Sequence, residues 1–155
     1  MVAFKRLVLA LWILTPFPAL AEGVRTDHPN LVGGEILGRG LVVTLNYERF
    51  LTNQFGLGGG VMAIATAGET AVVVPLYASY VPGDIHSVYF SAGTAFVGGG
   101  EVQNFQSQWL LQASIGYQYH SPTGFFVRPL FAFMTAPNEG GSALLWPGVT
   151  IGGSF

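Results

Sequence analysis

The sequence predicts an all-β protein, an eight-stranded antiparallel up-and-down transmembrane β-barrel, and three observations lead to this fold class. Charged residues make up only 9% of the 155 residues, whereas soluble domains carry about 25%. Short stretches of alternating polarity are separated by clusters of Gly, Pro, Asn and Asp, as strands are separated by turns. After residue 21, no apolar run reaches the ~20 residues of a membrane helix, so a membrane chain of this composition has to cross with strands.

The first 21 residues predict a cleaved secretory signal peptide. Lys5 and Arg6 precede an apolar segment from Leu7 to Phe17, and Ala19-Leu20-Ala21 forms a small-x-small cleavage site. A membrane anchor or a buried helix is the alternative. It is disfavoured because the apolar segment is short and two prolines interrupt its end.

The exported chain divides into a lead-in and a barrel. Residues 22–29 are polar and are expected to form a loose periplasmic lead-in, and residues 30–155 form the barrel. Strands are predicted there because no helical i, i+3, i+4, i+7 stripe is present and Gly is frequent. Most of them have about the 9–11 residues of a tilted membrane strand. The predicted strands are Asn30–Leu37, Leu41–Leu51, Gln54–Thr66, Thr70–Val81, His86–Val97, Ser107–Tyr119, Phe125–Met134 and Leu145–Phe155.

Three prolines, Pro75, Pro129 and Pro147, fall within predicted strands. Proline lacks the N–H that a ladder hydrogen bond needs, and a closed barrel has no free edge where this loss is harmless. We therefore expect local bulges at these positions.

The connections between the predicted strands alternate in length. One set is short, whereas the other contains both long connections. Because outer-membrane barrels have short periplasmic turns and longer outer loops, the second set is expected outside the cell and both chain ends in the periplasm. The short set is Thr52-Asn53, Pro82–Ile85 and His120–Gly124, and the other is Gly38–Gly40, Ala67–Glu69, Gly98–Gln106 and Thr135–Leu144.

The two faces of the predicted strands differ in polarity. On the second, sixth and seventh strands the polar and charged residues share one face, which is the apolar-out and polar-in alternation of a membrane barrel. A soluble barrel or sandwich secreted to the periplasm is the alternative, and the low charge disfavours it. The polar face carries Thr44, Asn46 and Glu48 on the second strand, Gln108, Gln112 and Gln118 on the sixth, and Arg128 on the seventh.

Aromatic residues on the apolar face gather beside the short turns. We interpret them as a girdle at the membrane interface on the side of the short turns, because amphipathic rings are enriched at such interfaces. Phe155 lies on the same face and would end the closing strand at that interface. The girdle residues are Tyr47, Phe55, Tyr80, Tyr117, Tyr119 and Phe125.

The sequence resembles a family of small outer-membrane β-barrel proteins, most of them uncharacterised. The matching pieces are EILGRGLVVTLNYERF, VVVPLYASYV, IGYQYHSPTGFFVRPLF and WPGVTIGGSF, which lie between Glu35 and Phe155. The resemblance implies an eight-stranded barrel in the outer membrane and a role for Phe155 in the signal that the barrel-assembly machinery reads. It implies no particular reaction.

Two charged residues are expected to face each other inside the barrel. Glu48 and Arg128 both lie on the polar face of their strands, which is expected to point into the barrel, and both are near its periplasmic end. An unpaired charge in a narrow lumen is costly. Glu35 on the first strand is a candidate third member of this network. The arrangement fits either a structural ion pair, which we favour, or a gate or proton path.

Catalytic and cofactor sites are not predicted. His120 and Ser121 are adjacent, whereas the small lipid A deacylase barrels separate such a pair by one residue, and no nearby carboxylate orients the histidine. The three histidines lack metal-ligand spacing, and the absence of a basic cluster disfavours nucleic acid as a partner. The expected partners are outer-membrane lipids and, during biogenesis, the barrel-assembly machinery.

The sequence therefore predicts a barrel whose lumen is filled by side chains, with a structural or envelope-integrity role and no catalysis. Eight strands enclose a space just wide enough for side chains. The alternatives are a barrel that binds lipid or a small apolar ligand, and a lipid-modifying enzyme. The expected bulky inward residues are Met62, Tyr77, Tyr89, Leu110 and Phe126, together with Arg128.

Overall fold

The computed structural model describes residues 23–66, 69–100, 106–136 and 143–155. The predicted signal peptide lies outside these residues, as do the middle parts of the two long predicted connections.

The chain forms a closed barrel of eight antiparallel strands, which confirms the predicted fold class. Each strand pairs with the next one in sequence, and the last pairs with the first. A helix α1 (Val24–Asp27) precedes the barrel, and a 3-10 turn (Gly38–Gly40) joins the first two strands. The strands are β1 (Asn30–Leu37), β2 (Val43–Phe50), β3 (Phe55–Thr66), β4 (Glu69–Tyr80), β5 (His86–Gly100), β6 (Gln106–His120), β7 (Phe125–Thr135) and β8 (Ala143–Ser154).

The barrel has two different ends. We call the end with the β2–β3, β4–β5 and β6–β7 connections the turn end, and the opposite end the loop end. The first and last residues of the barrel meet at the turn end. There the amide of Asn30 donates to the carbonyl of Phe155 at 3.1 Å, and the amide of Phe155 donates to the carbonyl of Asn30 at 2.9 Å.

The expected bulges at the three strand prolines do not form. The register between β3 and β4 is the same before and after Pro75, although the pairings with β3 next to this residue are missing. Its pairing with Ala95 on β5 is kept. Pro129 likewise interrupts pairings with β6 while its pairing with Val149 on β8 is kept. Pro147 pairs with Phe131 in an unbroken register. The barrel therefore accommodates Pro75 and Pro129 by losing local pairings, and it inserts no residue at any of the three prolines.

The polarity of the barrel is inverted relative to a soluble protein. Leu45 is 61% exposed, whereas Glu48, three residues further along the same strand, is 2% exposed. The period of two places apolar residues outside and Glu48 of β2 and Arg128 of β7 inside, while Arg49 of β2 lies on the outer face. Among the described residues, no helix is long and apolar enough to cross a membrane.

The interior contains two apolar clusters beside its polar groups. One cluster consists of Leu31, Phe50, Val81, Tyr89, Phe126, Leu130, Ala132 and Met134. The other consists of Met62, Val73 and Ala95.

Small residues on the inner wall make room for large ones. A β-carbon at Gly58 would lie 2.4 Å from the ring of Tyr77, its neighbour on β4. A β-carbon at Gly148 would lie 2.5 Å from the Cα of Gly38. Glycine at these positions therefore lets Tyr77 and the 3-10 turn occupy the lumen.

Candidate functional site in the barrel lumen

One ion pair joins β2 and β7 inside the barrel. The Arg128 guanidinium lies 2.7 Å from a carboxylate oxygen of Glu48. Two of its nitrogens, Nε and Nη2, donate to the side-chain oxygen of Gln118 at 2.9 and 2.6 Å. The other oxygen of Glu48 accepts a hydrogen bond from the hydroxyl of Ser79. The structure thus brings together Glu48 and Arg128, the two residues predicted to face each other in the lumen. Ser79 on β4 and Gln118 on β6 are their neutral hydrogen-bond partners.

A second ion pair involves Glu35, but its partner is Arg39. The Arg39 amide donates to Glu35 Oε1 at 2.6 Å, and its Nε donates to Oε2 at 3.0 Å. The Thr150 hydroxyl donates to the same Oε2 at 2.8 Å. Glu35 forms its ion pair with Arg39 and none with Arg128. Arg39, in the β1–β2 connection, is the cation that the sequence analysis missed.

Two tyrosines connect the ion pairs. Nη1 of Arg39 donates to the Tyr89 hydroxyl at 2.9 Å, and the Arg128 guanidinium lies 3.9 Å from the centre of the Tyr89 ring. Arg39 also stacks on Tyr77, 4.0 Å from the ring centre. Cation–π contacts of this kind strengthen when water is excluded. The lumen is therefore occupied by one connected set of two arginines, two glutamates and two tyrosines.

The β1–β2 connection folds into the barrel at the loop end. Gly38, Arg39 and Gly40 are all buried, although this connection was expected among the outer loops. The flanking residues Leu37 and Leu41 have φ angles of 60° and 73°, which cost non-glycine residues about 1–3 kcal/mol each. The Trp146 indole N–H holds the turn by donating to the Leu41 carbonyl at 3.2 Å. The buried contacts of Arg39 offset this backbone strain.

Helix α1 covers the turn end of the lumen, so the expectation of a loose lead-in is wrong for this part of the chain. Arg25 is 1% exposed. Its Nε donates to the Asn53 carbonyl at 2.6 Å and its Nη1 donates to the Asp84 carbonyl at 3.0 Å. Asp84 also accepts from the amide of Val24 at 2.8 Å. The helix is thereby fixed to the β2–β3 and β4–β5 connections.

The charge of Arg25 is kept despite its burial. Burial lowers the pKa of the guanidinium to about 10, an effect that the nearby Asp84 carboxylate opposes. At neutral pH the group remains a cation and donates to backbone carbonyls of both turns.

His120, which is adjacent to Ser121 in sequence, contacts a different serine. Nε2 of His120 lies 2.7 Å from the hydroxyl of Ser154, while Ser121 bonds to Thr123 at 2.9 Å. Nδ1 of His120 is buried without a hydrogen-bond partner. The pair therefore lacks the carboxylate that holds a catalytic histidine in the required tautomer. No group of three or more acidic or histidine residues suited to a metal ion occurs within the described ranges.

Several other inward polar groups have no protein partner. They lie on β2, β4, β5 and β6, and groups of this kind are usually satisfied by ordered water. The interior is thus polar along much of its wall. These groups include the Thr44 hydroxyl, both amide atoms of Asn46, the Tyr77 hydroxyl and the side-chain oxygen of Gln112.

The aromatic residues predicted for the girdle lie on the outer surface. Tyr47, Phe55, Tyr80, Tyr117 and Phe125 are exposed, as is Phe155, and Tyr119 is half-buried. The rings of Phe55 and Tyr80 lie 4.8 Å apart. His86, which the sequence analysis did not include, bonds to the Tyr117 hydroxyl and lies 5.2 Å from the Tyr119 ring.

These features define a closed eight-stranded barrel with an apolar wall and a charged, largely buried interior. The fold is similar to the N-terminal β-barrel domain of Pseudomonas aeruginosa OprF, with a TM-score of 0.58 and 18% identity over 79% of this chain and 94% of that one. The attachment invasion locus protein Ail of Yersinia pestis aligns with a TM-score of 0.48 and 12% identity over 81% and 93% of the two chains. No protein-family model and no curated protein sequence matches the chain.

Proposed function

We propose that this chain is a small outer-membrane β-barrel protein of a Gram-negative cell, with a closed lumen and a structural role in the envelope. The observation that carries this proposal is the inverted polarity of the barrel. Exposed leucine, isoleucine, valine and phenylalanine side chains cover its wall, and the described charges other than Arg49 on β2 are inside the barrel or near its ends. A wall of this kind is stable against lipid and unfavourable in water.

The groups that occupy the interior support the proposal of a closed lumen. The 3-10 turn enters from the loop end and inserts Arg39, and α1 covers the turn end with Arg25. Between them lie the two ion pairs and the rings of Tyr77 and Tyr89. An open channel would require both inserted segments and their buried charges to move.

The orientation in the membrane is part of the proposal. The turn end faces the periplasm, since short turns characterise that side of outer-membrane barrels. The exposed aromatic residues of β2–β7 near this end form the inner interfacial girdle. Phe155 belongs to the same band and contributes to recognition by the barrel-assembly machinery, after export directed by residues 1–21.

A structural role is favoured over catalysis by the chemistry of the lumen. Each buried carboxylate is engaged by an arginine and a hydroxyl. His120 contacts Ser154 but has no orienting acid. The lumen thus offers charge pairing and no activated nucleophile.

Proteoliposome swelling tests the closed lumen. Purified protein is reconstituted into liposomes and exposed to an isosmotic solution of a small sugar such as arabinose. Swelling no faster than in protein-free liposomes is expected. Swelling at a rate typical of an open porin would refute the closed lumen, and a small apolar molecule retained in the purified sample would favour a ligand-binding barrel.

A further inference from the structure

An apolar groove lies on the outer wall of β1–β4, around Gly59. It is lined by Val32, Leu45, Tyr47, Gly59, Val61 and Leu76 on β1–β4. Tyr47, Gly59 and Leu76 are cross-strand neighbours on three successive strands. Because Gly59 has no side chain, its backbone forms the floor of the groove between Tyr47 and Leu76. The backbones of β2 and β4 are about 10 Å apart, and the side chains of Tyr47 and Leu76 fill part of that distance, so the groove between them is narrower.

An arginine lies at the turn end of this groove. Arg49 shares the outward face of β2 with Leu45 and Tyr47 and lies two residues beyond Tyr47, about 7 Å further along the strand. It is exposed, whereas Arg25, Arg39 and Arg128 are buried.

The surroundings of Arg49 leave its charge available. Its cross-strand neighbours are Asn30 and Leu57, neither of which is anionic. The described residues contain no carboxylate within salt-bridge distance of it.

The polar end of the groove is also positioned by a hydrogen bond. The Tyr47 hydroxyl donates to the side-chain oxygen of Asn30 at 2.9 Å. This bond fixes the Tyr47 hydroxyl beside Asn30, the cross-strand neighbour of Arg49. A cation, a phenol and an amide therefore lie on the turn-end side of the apolar groove, and a phospholipid likewise has a polar headgroup next to apolar chains.

The dimensions decide between possible occupants. A groove one residue wide accepts a single acyl chain, whereas a helix has a diameter of about 10–12 Å with its side chains. A second barrel would present a convex wall, which cannot enter a groove of this width. Arg49 adds a contact that a phosphate satisfies and an apolar protein surface does not.

We propose that this groove is a binding site for one glycerophospholipid, with an acyl chain over Gly59 and the headgroup phosphate on Arg49. This inference rests on the proposed outer-membrane location, in which the turn end faces the leaflet that contains phospholipid. The lipid binds as a fixed annular component of the barrel at β1–β4.

Native mass spectrometry of the detergent-solubilised barrel tests the site. The barrel is incubated with dioleoyl phosphatidylglycerol, or with dioleoylglycerol, which has the same chains and no phosphate. We expect a one-to-one adduct with the phospholipid and about tenfold less with dioleoylglycerol. Arg49→Gln should weaken phospholipid retention about tenfold, because it removes a hydrogen-bonded charge contact, and Arg49→Lys should restore part of it.

The opposite wall supplies a matched control. A second apolar groove is lined by Ala113, Ile115, Phe131, Phe133 and Leu145, and no exposed Lys or Arg occurs among the described residues of β6–β8. Gly59→Leu fills the proposed site and should abolish the adduct, whereas Ala113→Leu fills the control groove and should leave it unchanged. Heat-modifiable migration on a gel shows that each variant is folded.

Several outcomes would overturn the proposal. Equal retention by wild type and Arg49→Gln, or equal loss in both groove-filling variants, would do so, as would preferential retention of lipid A. A lipid-free dimer lost in Gly59→Leu would identify a second copy as the occupant. If the proposed outer-membrane location itself were wrong, the protein would be soluble without detergent, and this result is distinct from the loss of lipid binding.

Discussion

Removal of the Glu48 carboxylate would leave the Arg128 cation buried without a counter-charge. Arg128 is 1% exposed and lies 2.7 Å from Glu48. Breaking a buried pair by removing one partner costs about 3–5 kcal/mol. Because Gln118 still accepts two of its hydrogen bonds and Tyr89 still offers its ring face, Glu48→Ala should fall near the lower end, at about 3 kcal/mol.

The double variant isolates the interaction between the two residues. Glu48→Leu combined with Arg128→Met removes both charges and keeps similar volumes, so it should cost less than Glu48→Ala. Urea unfolding of the barrel in lipid vesicles, followed by tryptophan fluorescence, gives the free energy of unfolding for each variant. If the double variant costs as much as the sum of Glu48→Leu and Arg128→Met, the two residues are not coupled and the ion pair is not the stabilising contact described above.

Three further predictions concern the inserted segments and the chain end. Arg39→Ala leaves Glu35 buried and unpaired and should cost about 3 kcal/mol in the same urea assay; a loss below 0.5 kcal/mol would contradict the inserted turn. Arg25→Ala should increase hydrogen exchange in the β2–β3 and β4–β5 connections, whereas exposed Thr26→Ala on the same helix should not; equal exchange would show that α1 does not hold these turns. Deletion of Phe155 should reduce the heat-modifiable band in outer-membrane fractions, whereas Phe155→Tyr keeps an interfacial ring and should assemble normally; full assembly of the deletion would exclude the terminal ring from the assembly signal.

The strands were predictable because their alternation is long and consistent. An apolar wall and a polar lumen impose a period of two over about ten residues, and this pattern located all eight strands. The largest difference is at the end of β5, predicted at Val97 and observed at Gly100. The same alternation predicts that the side chains of Glu48 and Arg128 point into the lumen.

The connections were not predictable by the same reasoning. Parity gives no information once the chain leaves a strand, so the turn around Arg39 was assigned to the outer loops. Its position depends on contacts with Glu35 and Tyr77, which are tertiary. Arg25 was missed for the same reason, since its partners Asn53 and Asp84 lie in distant turns. An arginine between two glycines, in a chain with so few charges, was the one local hint for Arg39.

The prolines illustrate a different limit. The rule that proline disrupts a ladder is correct, but the disruption at Pro75 and Pro129 takes the form of missing pairings in a continuous register. Neighbouring strands hold the register on both sides, so the closed topology outweighs the local preference for a bulge.

Fractionation of the cell envelope tests whether the protein is an outer-membrane barrel. The protein is expressed with its own N-terminal segment in a Gram-negative host, and membranes are separated on a sucrose gradient. We expect the protein to sediment with the outer membrane, to resist extraction by alkaline carbonate and to migrate differently on a denaturing gel before and after heating. Recovery as soluble periplasmic protein, with no detergent required for its solubility, would refute the outer-membrane barrel.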